Sequence, residues 1–523
     1  MTQFKPSAAQ QAYFDWIDGS TGSVILEAVA GSGKTTTIIN GLPLMAKPVE
    51  TAYGMLPARI LLLAYNKSMG KELQQRAAGV EGVKAGTFHS AGSSALWFAY
   101  GKSGKYKLEL VEKKVIMIAQ AIADDKARPD LEEIVPTVAK VVSMAKNRGI
   151  GALSSITDDS VWIEMIEHFG MVDELPENTS MEAIVKFSQI VLRRSNDDLD
   201  TIDFDDMVYL PLQRRLKLFQ NDWVLVDEAQ DTNPTRRALA QRMLKPGGRL
   251  VAVGDPHQAI YGFTGADNDA LDQIARDFDA TRLPLTITYR CPKAVVRVAQ
   301  EYVSHIVAGD TAPEGSVEEL DFADIVDAAA PGDAILCRYN KYLVNLCFKF
   351  IRGGKPAKIE GRAIGDGLAK LASRWKVKSL DALTTRLDSY LAREVKKAIA
   401  AGKEDRADRV TDQVETLFVL IDRAREQEIF DVKGLKEMIL TVFDDKVADS
   451  GNMITLASVH KSKGAEWNKV FLLGRHELMP SPFASQPWQL AQEINLIYVA
   501  VTRAKETLVD VFGVKEEEEQ KDG

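Results

Sequence analysis

A chain of 523 residues is too long for a single hydrophobic core, so about three or four domains are expected. With 46% hydrophobic and 27% charged residues it is not a disordered chain, and a net charge of −9 excludes a generally basic coat while leaving room for a local basic groove. The three cysteines (Cys291, Cys337, Cys347) and the scattered histidines lack disulfide-scaffold or zinc-ligand spacing. No apolar run is long enough to span a bilayer, and the first residues carry no signal-peptide pattern, so a soluble protein in a reducing cytoplasm is expected.

In chain order, Pro6-Ser7 starts a helix to Asp18, with Ser7 as its cap and Gly19 and Gly22 closing it. The run Val24-Ile25-Leu26-Glu27-Ala28-Val29-Ala30-Gly31-Ser32-Gly33-Lys34-Thr35-Thr36 then passes from an apolar, β-prone stretch through small residues into a helix. Glycines there let backbone N–H groups turn onto a polyphosphate, and the helix start adds its positive dipole end. Lys34 is placed for the β- and γ-phosphates and the Thr35 hydroxyl for Mg²⁺. The strict pattern has glycine where this chain has Ala28, which a negative φ would accommodate. Gly101-Lys102-Ser103 looks similar but lacks a leading glycine-rich loop and reads as a turn.

Arg59–Tyr65 reads as a buried parallel strand ending at Asn66-Lys67-Ser68, and Val83–Ala85 as a third strand running into Gly86–Ser90. Strands alternating with helices predict an α/β core with ligands at the carboxyl ends of the strands. From 91 to 195 the pattern is helical (Val111–Ala123, Leu131–Lys146, Ser160–Phe169, Met181–Arg194) and reads as an insertion. Strand logic resumes at 222–228 and 249–255. A second α/β unit is expected to begin near Leu283, with strands at 333–338, 453–458 and 469–474 and a helical interruption over 366–449. The tail from Lys515, with Glu516–Glu519, reads as solvated and disordered.

The run Val224-Leu225-Val226-Asp227-Glu228 puts two carboxylates at the end of a buried strand. Asp227 suits Mg²⁺, and Glu228 suits orienting or deprotonating an attacking water; phosphoryl transfer needs little else from a protein than placed charge and metal.

Asp227-Glu228-Ala229-Gln230-Asp231, together with the loop at 28–35, resembles the superfamily 1 helicases of the UvrD/Rep/PcrA type. Gln10 resembles that family's adenine-reading glutamine. Gly86-Thr87-Phe88-His89-Ser90 is similar to a strand-contacting motif, and Val253–Ala266 to the motif coupling nucleotide to DNA. Thr288-Tyr289-Arg290 resembles a segment that stacks on adenine and offers an arginine to the γ-phosphate. Val459–Glu466 and Asn495–Lys505 complete the series.

The resemblance implies two RecA-like parallel-sheet P-loop NTPase domains, each with a mainly helical insertion. The expected bounds are 1–90 with 196–280 for the first domain and 91–195 for its insertion. Those of the second domain are 281–365 with 450–514, its short insertion is 366–449, and 515–523 is an acidic tail. It implies catalytic Lys34, Asp227, Glu228, Gln258, Arg290 and Arg503, with ATP held between the two units by Gln10, Ala30, Gly31, Ser32, Gly33, Lys34, Thr35, Thr36, Tyr289, Arg290, Glu466 and Arg503. Mg²⁺ would lie on Thr35 and Asp227, and Gln258 would sense the γ-phosphate. DNA contacts would come from Tyr65, Asn66, Lys67, Thr87, Phe88, His89, Tyr261, Phe263, His460 and Lys461. Phe263-Thr264 stands where the family usually has Trp-Arg, which removes one expected phosphate contact, and Ala64-Tyr65 shifts the usual aromatic by one position. The implied activity is 3′→5′ movement on single-stranded DNA with unwinding at junctions, in repair, recombination or replication, by a monomer or weak dimer with an unidentified loader, in a bacterial or phage-infected cytoplasm near the nucleoid. Alternatives are a translocase that strips bound proteins with little unwinding and a nucleotide-switched DNA-binding module; RNA is left open as a substrate.

Overall fold

Strand β1 (Val24–Ala28) is apolar at every position except Glu27, which is partly buried and pairs with Arg282, because both of its faces are covered. Val24, Leu26 and Ala28 pack with Tyr13, Ile38 and Leu42 on one side. Ile25 packs with Leu63, Val224 and Val226 on the other. A strand buried twice has no polar face to alternate with, as in parallel α/β sheets. The computed structural model describes residues 4–51, 54–102, 106–125, 129–169, 171, 179–260, 262, 265, 267, 269–400, 404–443, 453–482, 484 and 486–515. The chain divides into two units, Met1–Val29 with Gly33–Thr286, and Ala30–Ser32 with Ile287–Gly523.

In the first unit β1 joins β2 (Ile60–Ala64), β3 (Val83–Thr87), β4 (Asn221–Val226), β5 (Leu244–Gly254) and β6 (Thr281–Leu285) in one sheet of order β6-β1-β5-β4-β2-β3. Every pairing in it is parallel. Strand β6 corrects the expected boundary at 280/281. Thr281–Leu285 lies in register with Val24–Ala28, because the open edge of β1 supplies its backbone hydrogen bonds. The first unit therefore runs to Thr286.

Helix α1 (Ala8–Gly19) starts at Ser7 as expected, in a capping box with Gln10. Helix α2 (Lys34–Met45) follows the loop after β1, α3 (Lys67–Arg76) follows β2, and α4 (Phe88–Leu96) follows β3 under a Thr87 cap. The stretch read as helical contains α5 (Lys114–Asp125), α6 (Pro129–Arg148), α7 (Asp159–His168) and α8 (Met181–Asp197). Their apolar stripes meet in a separate core around Val138, Val142, Trp162 and Val191. That core continues into Tyr209 and Leu210 of α9 (Phe204–Gln213), so the helical block and the sheet layer share a helix. Helix α10 (Pro234–Arg242) follows the carboxylate run, capped by Asn233 with proline at its first position.

The second unit has its own parallel sheet, built from β7 (Ser316–Asp321), β8 (Ala334–Cys337), β9 (Ala357–Glu360), β10 (Ile454–Ser458), β11 (Trp467–Leu473) and β12 (Ala504–Phe512), in the order β7-β12-β11-β8-β10-β9. Between β9 and β10 lie helices Arg362–Ala372, Leu380–Ala400, Glu404–Glu426 and Val432–Val442. Leu380, Leu383 and Leu387, and Val410, Val414, Leu417 and Ile421, recur every three or four residues and close onto the core around Ile335, Phe350 and Phe471. All three cysteines are buried and free. Among the described residues no helix is long and apolar enough to cross a membrane. Residues 516–523, read above as a disordered tail, lie outside the described residues.

Candidate nucleotide and nucleic-acid sites

The loop between β1 and α2 places Gly31 at φ 71° and Gly33 at φ 76°. Both lie in the left-handed region that glycine enters without a Cβ penalty. Gly33 caps α2 with no side-chain oxygen, so no cap competes for the first N–H groups of the helix. Ser32 is buried and its Oγ has no hydrogen-bond partner among the described residues. Ala28 ends β1 without a positive φ, so its methyl group is accommodated. These features fit a polyphosphate: a helix start without a side-chain cap, an orphaned buried hydroxyl and a lysine at the first helical position.

Lys34 Nζ lies 3.2 Å from Glu228 Oε1. Burial opposes its charge, but Glu228, Asp255 and Asp227 together outweigh burial and hold the ammonium above the ordinary lysine range. Asp227, at the end of β4, is pushed up to about 7, first by burial and then by Glu228, with Lys34 opposing. A buried carboxylate under that pressure is suited to a cation, which is the donor chemistry Mg²⁺ requires. Glu228 has φ 52° and ψ 45°. Gln230 donates to Glu228 Oε2 at 2.5 Å and accepts from the Asp255 N–H at 3.1 Å. Gln258 Nε2 donates to Asp255 Oδ2 at 2.7 Å. Lys34, Glu228, Gln230, Asp255 and Gln258 are thus one connected polar chain. Gln10 is buried against the same helix, its Nε2 donating to Thr37 Oγ1 at 2.9 Å. Thr36 Oγ1 accepts from Arg76 at 2.8 Å, and Thr35 stands one residue after Lys34 in the first turn of α2.

The residues expected to touch DNA divide. Tyr65 follows β2, with the Arg236 guanidinium 5.1 Å from its ring centre. Asn66 caps α3 by accepting from the Met69 N–H at 3.0 Å, and Lys67, the first residue of that helix, is exposed. Thr87 caps α4. Phe88 is a correction: it is only 3% exposed and packs with Ile25, Leu63 and Val224, so its ring offers no face for stacking. His89 meets the ring of the exposed Phe204 edge-on at 6.1 Å. Burial first and then Arg236 lower its pKa, against Asp205. Tyr261 and Phe263 lie outside the described residues.

In the second unit Tyr289 is 56% exposed. Arg290 Nε donates to Glu466 Oε2 at 2.6 Å, and Lys505 lies 3.7 Å from the other oxygen of that carboxylate. Arg503 is buried, its Nε donating to the Val499 carbonyl at 2.8 Å and its Nη1 to the Ala465 carbonyl at 3.2 Å. Of the two arginines expected at the phosphate, Arg290 is the one with an exposed fraction. His460 and Lys461 sit on the turn Val459–Ser462, with Lys461 exposed.

Sequence reasoning missed a buried ionic cluster. Lys146 lies 2.6 Å from Asp203 and 2.7 Å from Asp206, and Lys114 lies 2.8 Å from the other Asp206 oxygen. The available signal was Asp203-Phe204-Asp205-Asp206, an acidic run opening a helix, where Asp203 and Asp206 form a capping box. Nothing in the sequence points to lysines 114 and 146 as its partners.

A glycine-loop lysine facing strand-end carboxylates on a parallel sheet, with a second parallel-sheet unit in the same chain, defines a nucleoside-triphosphate-hydrolysing α/β motor. The UvrD/REP helicase N-terminal domain matches residues 9–279 and the UvrD-like helicase C-terminal domain residues 366–511. The chain is also similar to the ATP-dependent DNA helicase UvrD2 of Mycobacterium tuberculosis, 24% identical over 92% of this chain and 75% of that protein. It is similar to UvrD1 of the same organism at 24% over 93% and 79%, and to PcrA of Staphylococcus epidermidis at 24% over 54% and 38%. This chain belongs to the UvrD/REP helicase family, a class of ATP-dependent DNA helicases.

Proposed function

We propose that the protein is a Mg²⁺-dependent ATPase that moves 3′→5′ along single-stranded DNA and opens duplex at single-strand/duplex junctions, acting in repair, recombination or replication in a bacterial or phage-infected cytoplasm. The observation that carries this reading is the contact of Lys34 with Glu228 beside the buried Asp227, at the mouth of a loop suited to polyphosphate. Lys34 holds the phosphates, and Glu228 orients and deprotonates the attacking water. Thr35 and Asp227 hold Mg²⁺, which neutralises phosphate charge when bound. Gln10 reads the adenine, Tyr289 stacks on it and Glu466 contacts the ribose. Arg290 and Arg503 stabilise charge on the transferred group. Gln258 reports the γ-phosphate to the DNA contacts, assigned to Tyr65, Asn66, Lys67, Thr87, His89, Tyr261, Phe263, His460 and Lys461.

A second reading, a translocase that clears bound proteins with little unwinding, is favoured by the short helical insertion between β9 and β10. A strand-separation assay on naked duplex distinguishes the two. The deciding experiment for the motor is ATP turnover with and without single-stranded DNA. Strong stimulation is expected in the wild type. Lys34→Ala and Glu228→Gln should each lose about 10²- to 10⁴-fold in turnover. Turnover indifferent to DNA would overturn the motor reading.

A further inference from the structure

The last turn of α6 is tied by side chains to the elements that follow the carboxylate pair. Asn147 uses both ends of its amide: Nδ2 donates to Asp205 Oδ1 and to the Ser143 carbonyl, each at 3.0 Å, and Oδ1 accepts from Asn233 Nδ2 at 2.8 Å. Asn233 caps α10, accepting from the Arg236 N–H at 2.9 Å, and stands six residues beyond Asp227. The Thr235 hydroxyl is shared between the carbonyls of Lys146 (2.6 Å) and Asn147 (2.8 Å). Arg148 pairs with the buried Asp267, which Arg237 of α10 also holds at 2.9 Å. From Asn233 the connection continues through Arg236 to the ring of Tyr65, and from Asp205 electrostatically to His89.

We infer that Asn147 is a positioning residue that couples DNA engagement to ATP hydrolysis, through Asn233 and the turn carrying Glu228. The inference rests on the motor reading above. Coupling needs an element with two arrangements, not merely a chain of contacts. The turn Glu228–Asp231 is assigned that role, because Glu228 stands there in a left-handed conformation that is strained for a side-chain-bearing residue. Lys34 and Gln230 hold the Glu228 carboxylate itself, and the hydrogen bonds of α6 reach the turn through Asn233 and Thr235: a displacement at Tyr65, His89 or the helical block moves Asn233 and, through the Thr232 and Asp231 backbone, the turn. Arg236 Nη1 donates to the Asp231 carbonyl at 3.3 Å, a second link to the same turn.

The test compares wild type with Asn147→Ala and Asn233→Ser; serine keeps a capping oxygen for α10 and removes only the amide link to Asn147. Turnover is measured without DNA and with a saturating thymidine oligonucleotide, together with the KM for ATP and the thermal midpoint. The expected result is an unchanged basal rate and KM with DNA-stimulated kcat reduced about two- to thirtyfold. The double variant should lose no more than the worse single one. DNA stimulation equal to wild type in Asn233→Ser, or a basal rate falling in the same proportion as the stimulated rate, overturns the coupling. If Asn147→Ala does not fold, Asn233→Ser alone decides. A wild type that DNA fails to stimulate overturns the motor reading instead, so the two failures are distinguishable.

Discussion

Glu228 occupies a left-handed backbone conformation at φ 52°, which costs a residue with a Cβ about 1–2 kcal/mol. Its carboxylate is held from two sides, by Lys34 at 3.2 Å and Gln230 at 2.5 Å. Such strain persists where surrounding bonds over-determine it, and it clusters at functional sites. His460 offers a different measurement. Burial first, then Arg338, lowers its pKa to about 3, so it stays neutral in the folded chain over the ordinary range. The unfolded chain binds that proton near pH 6.5, so the contribution to stability is complete above that value and is lost as pH falls below it. Between pH 7.5 and 5.5 the loss should be about 1.4 kcal/mol. Urea unfolding at the two pH values should show that extra loss in wild type relative to His460→Gln; equal losses would place His460 in water.

Helices α5, α6 and α9 meet around two lysines and two aspartates with almost no access to solvent. Taking charges out of water is costly, and the cluster holds because each ammonium has a carboxylate within 2.8 Å. Asp206 touches both lysines. Asp206→Ala should therefore destabilise the first unit by about 3–5 kcal/mol, read from denaturant midpoints, because it strands positive charge in an apolar core. Asp159→Ala, which breaks the exposed pair with Lys186, should shift stability by less than about 1 kcal/mol.

For the chain taken entire, a net charge of −9 means that long-range fields do not favour a polyanion, so affinity for DNA must come from a few local phosphate contacts. Lys67 and Lys461 are exposed candidates. Replacing either by alanine should lower the slope of log affinity against log salt by about 0.7 on single-stranded DNA, with little dependence on base sequence. Fluorescence anisotropy across a salt series measures this, and an unchanged slope removes the residue from the track.

The geometry of the glycine loop was legible because its constraints are local: positive φ at Gly31 and Gly33, a lysine one residue later, and a buried strand before it. The same holds for the carboxylates after β4, the cap at Ser7 and the parallel α/β class, since doubly buried strands must read as unbroken apolar runs. Phe88 was misjudged because an aromatic after a strand has the same one-letter form whether it packs or stacks, and only the neighbours Ile25 and Leu63 decide. Thr281–Leu285 was assigned to the wrong unit because strand pairing is non-local. Its partner β1 lies more than 250 residues earlier in the sequence. For the same reason Asn147 and Asn233, 86 positions apart, are ordinary asparagines in the sequence and become partners only when α6 is laid against α10. Local backbone chemistry determined the glycine loop and the strand-end carboxylates; long-range packing decided which side chains are connected to them.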